Sequence, residues 1–163
     1  MSDTHDRLPL VEAAVEELNE RKVDLVLHAG DYVAPFVIPR LAHLEARVVG
    51  VFGNNDGDKP LLLKKASEVG SIEIKGLFAE VRMGELRIAL LHGHEEELLR
   101  SLISCGAYDV VVHGHTHRAS VRREGRTLVV NPGEVCGYLY GKPTLAILDT
   151  EELKVELVEL KAL

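Results

Sequence analysis

The amino-acid sequence predicts an α/β fold, a four-layer α/β/β/α sandwich of two mixed sheets, in a single domain over residues 1–163. First, helical and strand patterns alternate up to residue 52, which is typical of a parallel sheet with helical crossovers. Second, strand patterns dominate after residue 70, which supplies a second sheet. Third, no repeat, linker or low-complexity stretch divides the 163 residues. A chain of this length buries roughly 68–70% of its unfolded surface, so it needs no disulfide to hold a core.

Each element of the first half follows from its hydrophobic pattern. Apolar side chains at positions 8, 11, 14, 15 and 18 have helical spacing and predict a first helix. Short apolar, β-branched runs at 23–28 and 47–52 predict buried strands, and Gly53 ends the second one. A second helix is predicted at 35–43.

The second half is predicted to be rich in strands. Strands are expected at 72–74, 77–81 and 86–91, with a tight turn at 83–85. One helix is expected at 95–104. Further strands are predicted at 110–112, 119–123, 127–130, 144–148 and 155–160, with a hairpin turn at Gly125-Arg126.

Composition limits the classes of function. The formal net charge of −7 argues against an extended nucleic-acid surface, which usually needs a basic face. No apolar run approaches the roughly 18 residues of a membrane span, and no signal peptide is evident, so a cytoplasmic location is expected. Cys105 and Cys136 lack Cys-x-x-Cys spacing and are expected to be free thiols. The strand-rich second half suggests a homodimer.

Five short polar blocks stand where predicted strands give way to loops. They are Asp3-Thr4-His5, Gly30-Asp31, Gly53-Asn54-Asn55-Asp56, His92 and His113-Gly114-His115-Thr116-His117. Parallel strands present ligand sites beyond their carboxyl ends, so these blocks can converge. The first block fits less well, because only Met1 and Ser2 precede Asp3. We therefore expect the recorded start to lack several residues of a central strand, whose loss would leave neighbouring backbone groups unpaired.

As an ordered set, these blocks resemble the signature of the calcineurin-like metallophosphoesterases, and within that superfamily its small, single-domain prokaryotic phosphodiesterases. The resemblance runs from Asp3 to the Asn131–Glu134 segment and implies the metallophosphoesterase fold with two divalent metal ions. By this resemblance the first ion is bound by Asp3, His5, Asp31 and His117. The second is bound by Asp31, Asn54, His92 and His115, so Asp31 bridges the two.

The ligand types support such a site independently. Imidazole, carboxylate and amide groups suit manganese or nickel, the ions expected here, with iron, zinc and magnesium as alternatives. No thiolate marks a structural zinc site. Two ions lower the pKa of a bridging water and neutralise phosphoryl oxygens during in-line attack. The expected substrate is a small or nucleotide-like phosphodiester, and the residues expected to take part in catalysis are Asp31, Asn54, Asn55, Asp56 and His92.

Two positions need separate treatment. Many relatives carry a histidine where this chain has Asn55, which cannot act as a general acid at pH 7 but can stabilise charge on a phosphoryl oxygen. This departure favours diesters and substrates with good leaving groups over alkyl monoesters. Asp56 is expected to orient Asn54 or a ligand histidine; its alternative is a turn aspartate before Gly57.

Other polar residues and other functions stay open. Structural roles are expected for His28, His43, His94 and His113, while Arg7, Lys59, Arg118 and Tyr138 are candidates for the rim of the pocket. The alternative enzyme is a phosphomonoesterase or protein phosphatase. The alternative from another class is a protein-binding scaffold of the same fold, as in the retromer subunit, which would predict eroded metal ligands.

Overall fold

Helices and parallel strands alternate through the first half of the protein. The computed structural model describes residues 1–161; the last two residues of the predicted domain, 162–163, lie outside the described residues. The elements are α1 (Leu8–Glu20), β1 (Leu25–His28), α2 (Val37–Leu41), β2 (Arg47–Gly50), α3 (Lys59–Val69) and β3 (Ile72–Ile74). The three strands form one parallel sheet in the order β1-β2-β3, with Val26 opposite Val48 and Val48 opposite Ile72.

The second half builds a five-stranded mixed sheet and a hairpin. Its elements are β4 (Phe78–Met83), β5 (Leu86–Leu91), α4 (Glu96–Ser104), β6 (Val110–Val112), β7 (Ser120–Glu124), β8 (Thr127–Asn131), β9 (Thr144–Asp149) and β10 (Lys154–Glu159). The sheet has the order β4-β5-β6-β8-β7, in which β5, β6 and β8 run parallel. The strands β9 and β10 pair with each other.

The side chains of the two sheets alternate between three apolar layers, because successive residues of a strand point to opposite faces. Val26 and Val48 pack against α1, α2 and α3, whereas Val49 and Leu27 face the second sheet. The middle residue of β6, Val111, packs outward toward α4. The order of layers is therefore helix, sheet, sheet, helix, and the predicted four-layer fold is confirmed.

Helix α3 was missing from the sequence prediction, although its end signals are present. The side chain of Asp58 accepts a hydrogen bond from the amide of Leu61 at 3.1 Å and caps the first turn. Pro60 occupies the first turn, and Gly70 ends the helix with φ +80°. Only Leu62 and Ala66 are buried, so the apolar stripe is too narrow for periodicity to reveal it.

The first three residues lie beside the end of β1. The Met1 ammonium group donates to the carbonyl of Leu27 at 2.9 Å, and the Asp3 amide donates to the carbonyl of Gly30 at 3.0 Å. Burial lowers the pKa of the ammonium group to about 5. A groove of about 310 Å³ continues from Met1 between β1 and β9. The expectation of a longer first strand stays a prediction.

Among the described residues, no helix is long and apolar enough to cross a bilayer.

Candidate metal centre

Loops from four strands meet the first residues of the chain at one edge of the two sheets. The amide of Thr4 donates to the carbonyl of Asp31 at 3.1 Å, which holds the first block against the loop after β1. His92, which follows β5, contacts the carbonyl of Ala29 through Nδ1 at 2.7 Å. The amide of Gly114, beyond β6, donates to the carbonyl of His92 at 2.9 Å. These bonds bring blocks far apart in sequence to one place.

Four of the seven predicted ligands form a tight group. Asp3, His5, Asp31 and His117 each offer a ligand atom within 4.8 Å of the others. The Nε2 atom of His5 lies 3.4 Å from Oδ2 of Asp31, and Nε2 of His117 lies 3.3 Å from Oδ1 of Asp3. Asp3 and Asp31 are fully buried. The residues expected to hold the first ion are thus brought together.

The residues expected to hold the second ion are less tightly grouped. The Nε2 atom of His92 lies 3.3 Å from Oδ2 of Asp31, and the His92 and His115 ring centroids are 5.2 Å apart. Within residues 1–161, Asp31, His92 and His115 do not form a group as close as the first four. Asn54 is exposed in the loop after β2. Asp31 is the only residue shared by the two predicted ligand sets.

Buried ligand atoms without partners show that divalent ions fit here. Among the described residues, Oδ1 of Asp3, Nε2 of His5 and Nε2 of His92 are buried and make no hydrogen bond. Such atoms normally find a partner, since leaving one unpaired is costly. Because Nδ1 of His92 donates to a backbone carbonyl, Nε2 is the ring atom of His92 that would bind a metal. This donor set of carboxylates and imidazoles matches the ions predicted from the sequence.

The charges of the site shift the pKa values of its histidines in opposite directions. Burial disfavours a charged His5, but the nearby carboxylates of Asp3 and Asp31 outweigh it and raise its pKa to about 9. The same balance raises the pKa of His92 beside Asp31. Burial and the neighbouring His92 lower the pKa of His115. Contacts with His5 and His92 outweigh burial and hold the pKa of Asp31 well below its usual range.

The backbone is strained at most of the predicted ligands. Non-glycine residues rarely adopt positive φ angles, and such outliers cluster at functional sites. Five of the seven predicted ligands do so: Asp3 at 54°, His5 at 40°, Asp31 at 59°, His115 at 67° and His117 at 61°. The surrounding fold holds these side chains in place at a local energetic cost.

Asp56 and Asn55 both act on Asp31. The Asp56 carboxylate accepts the amides of Asp31 at 3.2 Å, Val33 at 2.8 Å and Gly53 at 2.6 Å. It therefore positions backbone, whereas the sequence led us to expect a contact with Asn54 or a ligand histidine. Asn55 donates its amide and its side-chain nitrogen to Asp31 at 2.9 and 2.7 Å. Its side-chain nitrogen is thus turned to the predicted bridging carboxylate.

Glu134 is the residue of the site that sequence reasoning missed. It is fully buried, and its Oε2 lies 2.6 Å from Nδ1 of His117. A signal was available, because Glu134 follows β8, a parallel neighbour of β6 in the same sheet. It belongs to no short motif with histidine or aspartate, and in the sequence it stands only at the end of the segment that carries the resemblance.

Two of the four histidines expected to be structural, His28 and His113, make contacts with neighbouring residues of the fold. His28 stacks on Tyr32 with ring centroids 3.9 Å apart and accepts the amide of Gly30 at 3.2 Å. His113 contacts the carbonyl of Gly114 at 3.1 Å. His94 lies closer to the site than expected, with its ring centroid 5.5 Å from that of His92.

Two of the residues proposed for the rim of the pocket, Arg7 and Arg118, already make hydrogen bonds within the protein. The guanidinium group of Arg7 donates to the carbonyl of Cys136 at 2.6 Å and lies over the ring of Tyr138. That of Arg118 donates to the hydroxyl of Tyr140 at 2.7 Å. Tyr138 remains exposed, 6.4 Å from the His5 ring centroid. The rim beside the first ligand group is therefore aromatic and cationic.

Comparison with known families decides which family this site belongs to. The family model of the calcineurin-like phosphoesterase superfamily domain matches residues 1–153. The chain belongs to this superfamily. The resemblance inferred from the ordered blocks is confirmed.

Similar proteins include named phosphodiesterases and a protein that shares the fold. Phosphodiesterase MJ0936 of Methanocaldococcus jannaschii is 42% identical over 152 residues, which cover 93% of this chain and 92% of that protein. A solved structure described as a novel archaeal phosphodiesterase superposes with a TM-score of 0.93 at 40% identity, over 98% of this chain and 97% of the other. Vps29 of Entamoeba histolytica, a single mutant, has a TM-score of 0.70 at 20% identity, over 99% and 97% of the two chains. The last likeness shows the fold alone.

Proposed function

We propose that this protein is a metal-dependent phosphodiesterase that binds two divalent ions and hydrolyses small or nucleotide-like phosphodiesters. The observation that carries the proposal is the close group of Asp3, His5, Asp31 and His117, in which buried ligand atoms lack partners. The similarity to a phosphodiesterase at 42% identity supports the same reaction class.

The residues of the site have separable roles in this proposal. Asp3, His5, Asp31 and His117 hold one ion, and Asp31, Asn54, His92 and His115 hold the other. Bound there, manganese or nickel would activate a water and offset the charge of the phosphoryl oxygens. Asn55 and Asp56 fix the Asp31 carboxylate and its backbone, which sets the position shared by the two ligand sets.

The aromatic rim favours diesters with a planar group. Tyr138 offers an exposed ring beside His5, and the neighbouring guanidinium groups of Arg7 and Arg118 can balance a phosphate charge. An aryl or nucleobase portion can stack on such a ring, which contributes roughly 1–3 kcal/mol per base in nucleic-acid complexes. A cytoplasmic location and a homodimer remain predictions.

The test is hydrolysis of a bis-aryl phosphodiester beside its aryl monoester, with chelator-stripped protein and manganese, nickel, zinc or magnesium added back. We expect metal to restore diester hydrolysis in preference to monoester hydrolysis. The variant Asp31→Ala should lose this activity together with bound metal, measured by elemental analysis, while remaining folded by circular dichroism. Undiminished activity of Asp31→Ala would refute the shared-ligand arrangement.

A non-catalytic scaffold is the second candidate, favoured by the likeness of fold to Vps29. It predicts that folded, metal-loaded protein hydrolyses neither ester. Faster monoester than diester hydrolysis would instead favour a phosphomonoesterase.

A further inference from the structure

The Glu134 carboxylate accepts hydrogen bonds from two parts of the molecule, the side chain of His117 and the backbone of a loop. On one side its Oε2 accepts a hydrogen bond from Nδ1 of His117 at 2.6 Å. On the other side its Oε1 accepts a hydrogen bond from the amide of Tyr140 at 2.7 Å, and the amide of Leu139 donates to both oxygens at 3.0–3.1 Å. One buried carboxylate therefore satisfies a metal-ligand histidine and the backbone of a loop.

That loop, residues 134–140, carries exposed apolar side chains beside the metal centre. Tyr138, Leu139 and Tyr140 are 59%, 65% and 46% exposed, although large apolar groups usually pack inside. The segment 134–140 contains no helix or strand. Its position relative to the ligands depends on hydrogen bonds such as those to Glu134.

We propose that Glu134 is a positioning residue that couples metal binding at His117 to the placement of the loop 134–140. A carboxylate can only accept, so Nδ1 of His117 donates to Glu134, and Nε2, 3.3 Å from Oδ1 of Asp3, is the ring atom that would bind a cation. A cation bound at Nε2 would make the Nδ1–H group a stronger donor and so hold the Glu134 carboxylate in place. The carboxylate in turn holds the amides of Leu139 and Tyr140. Metal binding and the position of the loop 134–140 would then be coupled. This inference rests on the proposed function only in requiring an ion at His117.

The variant Glu134→Gln separates the two contacts because an amide has one acceptor oxygen and one donor nitrogen. If the oxygen takes the loop amides, the NH₂ group faces Nδ1 of His117 and forces the proton onto Nε2, where it blocks the metal. If the oxygen takes His117, the NH₂ group faces the donors of Leu139 and Tyr140. Either orientation breaks one side of the link.

The experiment combines metal titration by calorimetry with hydrogen–deuterium exchange of residues 134–140, on chelator-stripped and manganese-loaded full-length protein. In the wild type we expect manganese to slow amide exchange in this loop. In Glu134→Gln we expect the loop to lose that response, and manganese affinity to fall about 10–100-fold, as is usual when the hydrogen-bond partner of a ligand histidine is removed. The matched control is Asp109→Asn. The Asp109 carboxylate also accepts a hydrogen bond from a backbone amide, that of Arg87 at 2.9 Å, but Asp109 precedes β6 and so lies at the opposite end of that strand from His113. It should behave as the wild type.

Two results would overturn the coupling. One is wild-type protein that binds manganese without any change in loop exchange. The other is a Glu134→Gln variant whose affinity and metal-dependent loop exchange both match the wild type. Failure of the wild type to bind manganese, nickel, zinc or magnesium would instead overturn the proposed function, and this proposal with it.

Discussion

Asp56→Ala should destabilise the protein more than its position in a surface loop suggests. The carboxylate accepts three backbone amides, those of Asp31, Val33 and Gly53, and thereby ties the loop after β1 to the loop after β2. Each buried donor that loses its partner costs about 1–3 kcal/mol. Burial raises the pKa of Asp56, so part of the present gain is already offset by burying its charge. We therefore take the lower end of that range, about 1 kcal/mol for each of the three hydrogen bonds, and expect the free energy of unfolding to fall by about 3 kcal/mol.

The assay is equilibrium unfolding in guanidinium chloride at pH 7.5 on chelator-treated protein, which removes any contribution from bound metal. A loss of this size corresponds to a fall in Tm of about 6–12 °C for a protein of this length. The control is Asp58→Ala, two positions away, where an exposed carboxylate accepts one amide as the cap of α3 and should contribute about 1 kcal/mol. If Asp56→Ala costs no more than Asp58→Ala, the three bonds do not stabilise the site as argued.

Four other residues, Asn55, His5, Tyr32 and Gly50, each make contacts whose effect can be measured. Asn55→His should raise monoester hydrolysis relative to diester hydrolysis at least about tenfold by supplying a general acid; an unchanged ratio in metal-loaded protein would contradict this. Since the pKa of His5 is raised to about 9, the metal-free imidazole is protonated at pH 7.5, so metal binding should release roughly one proton there and tighten as pH rises toward 9. Calorimetry in buffers of different ionisation enthalpy measures that release, and its absence would refute the assignment of His5 as a ligand. Tyr32→Phe should stabilise the protein by about 1 kcal/mol, because its buried hydroxyl has no partner among the described residues. Gly50→Ala, whose Cβ would lie 1.9 Å from that hydroxyl, should destabilise less in the Tyr32→Phe background, and strictly additive unfolding energies would exclude this clash.

The strands and most helices were predictable because burial imposes a strong pattern on them. The continuous apolar run at Val110–Val112 is buried on both faces, and its predicted bounds match β6. Helix α3 has no such pattern, because nine of its eleven residues are exposed or half-exposed, around a narrow buried stripe at Leu62 and Ala66. Its cap at Asp58 and its stop at Gly70 are local signals that periodicity does not weigh.

The close group of Asp3, His5, Asp31 and His117 was anticipated for a different reason, because the ordered polar blocks resemble a family signature that places such side chains together. Side-chain geometry was not. Nothing in the sequence indicates which backbone amides Asp56 holds, because they come from two loops, one after β1 and one after β2. The role of Glu134 was not predicted because it depends on a hydrogen bond with His117, which lies 17 residues earlier in the chain and is separated from it by two strands. Contacts between loops depend on the assembled fold, so no periodic pattern in the sequence indicates them.

The retained strain at the ligands bears on the choice between enzyme and scaffold. A scaffold uses its outer surface and gains nothing from holding Asp31 at φ 59° and His117 at φ 61°, conformations that non-glycine residues adopt only at a cost. Relaxing them would need only Asn or Gly at these positions. Here the strained residues keep carboxylate and imidazole side chains, and buried atoms of Asp3 and His5 are left without hydrogen bonds. Bound cations at these atoms would offset both costs, so the intact ligand set and its strained backbone together favour the metal-dependent enzyme.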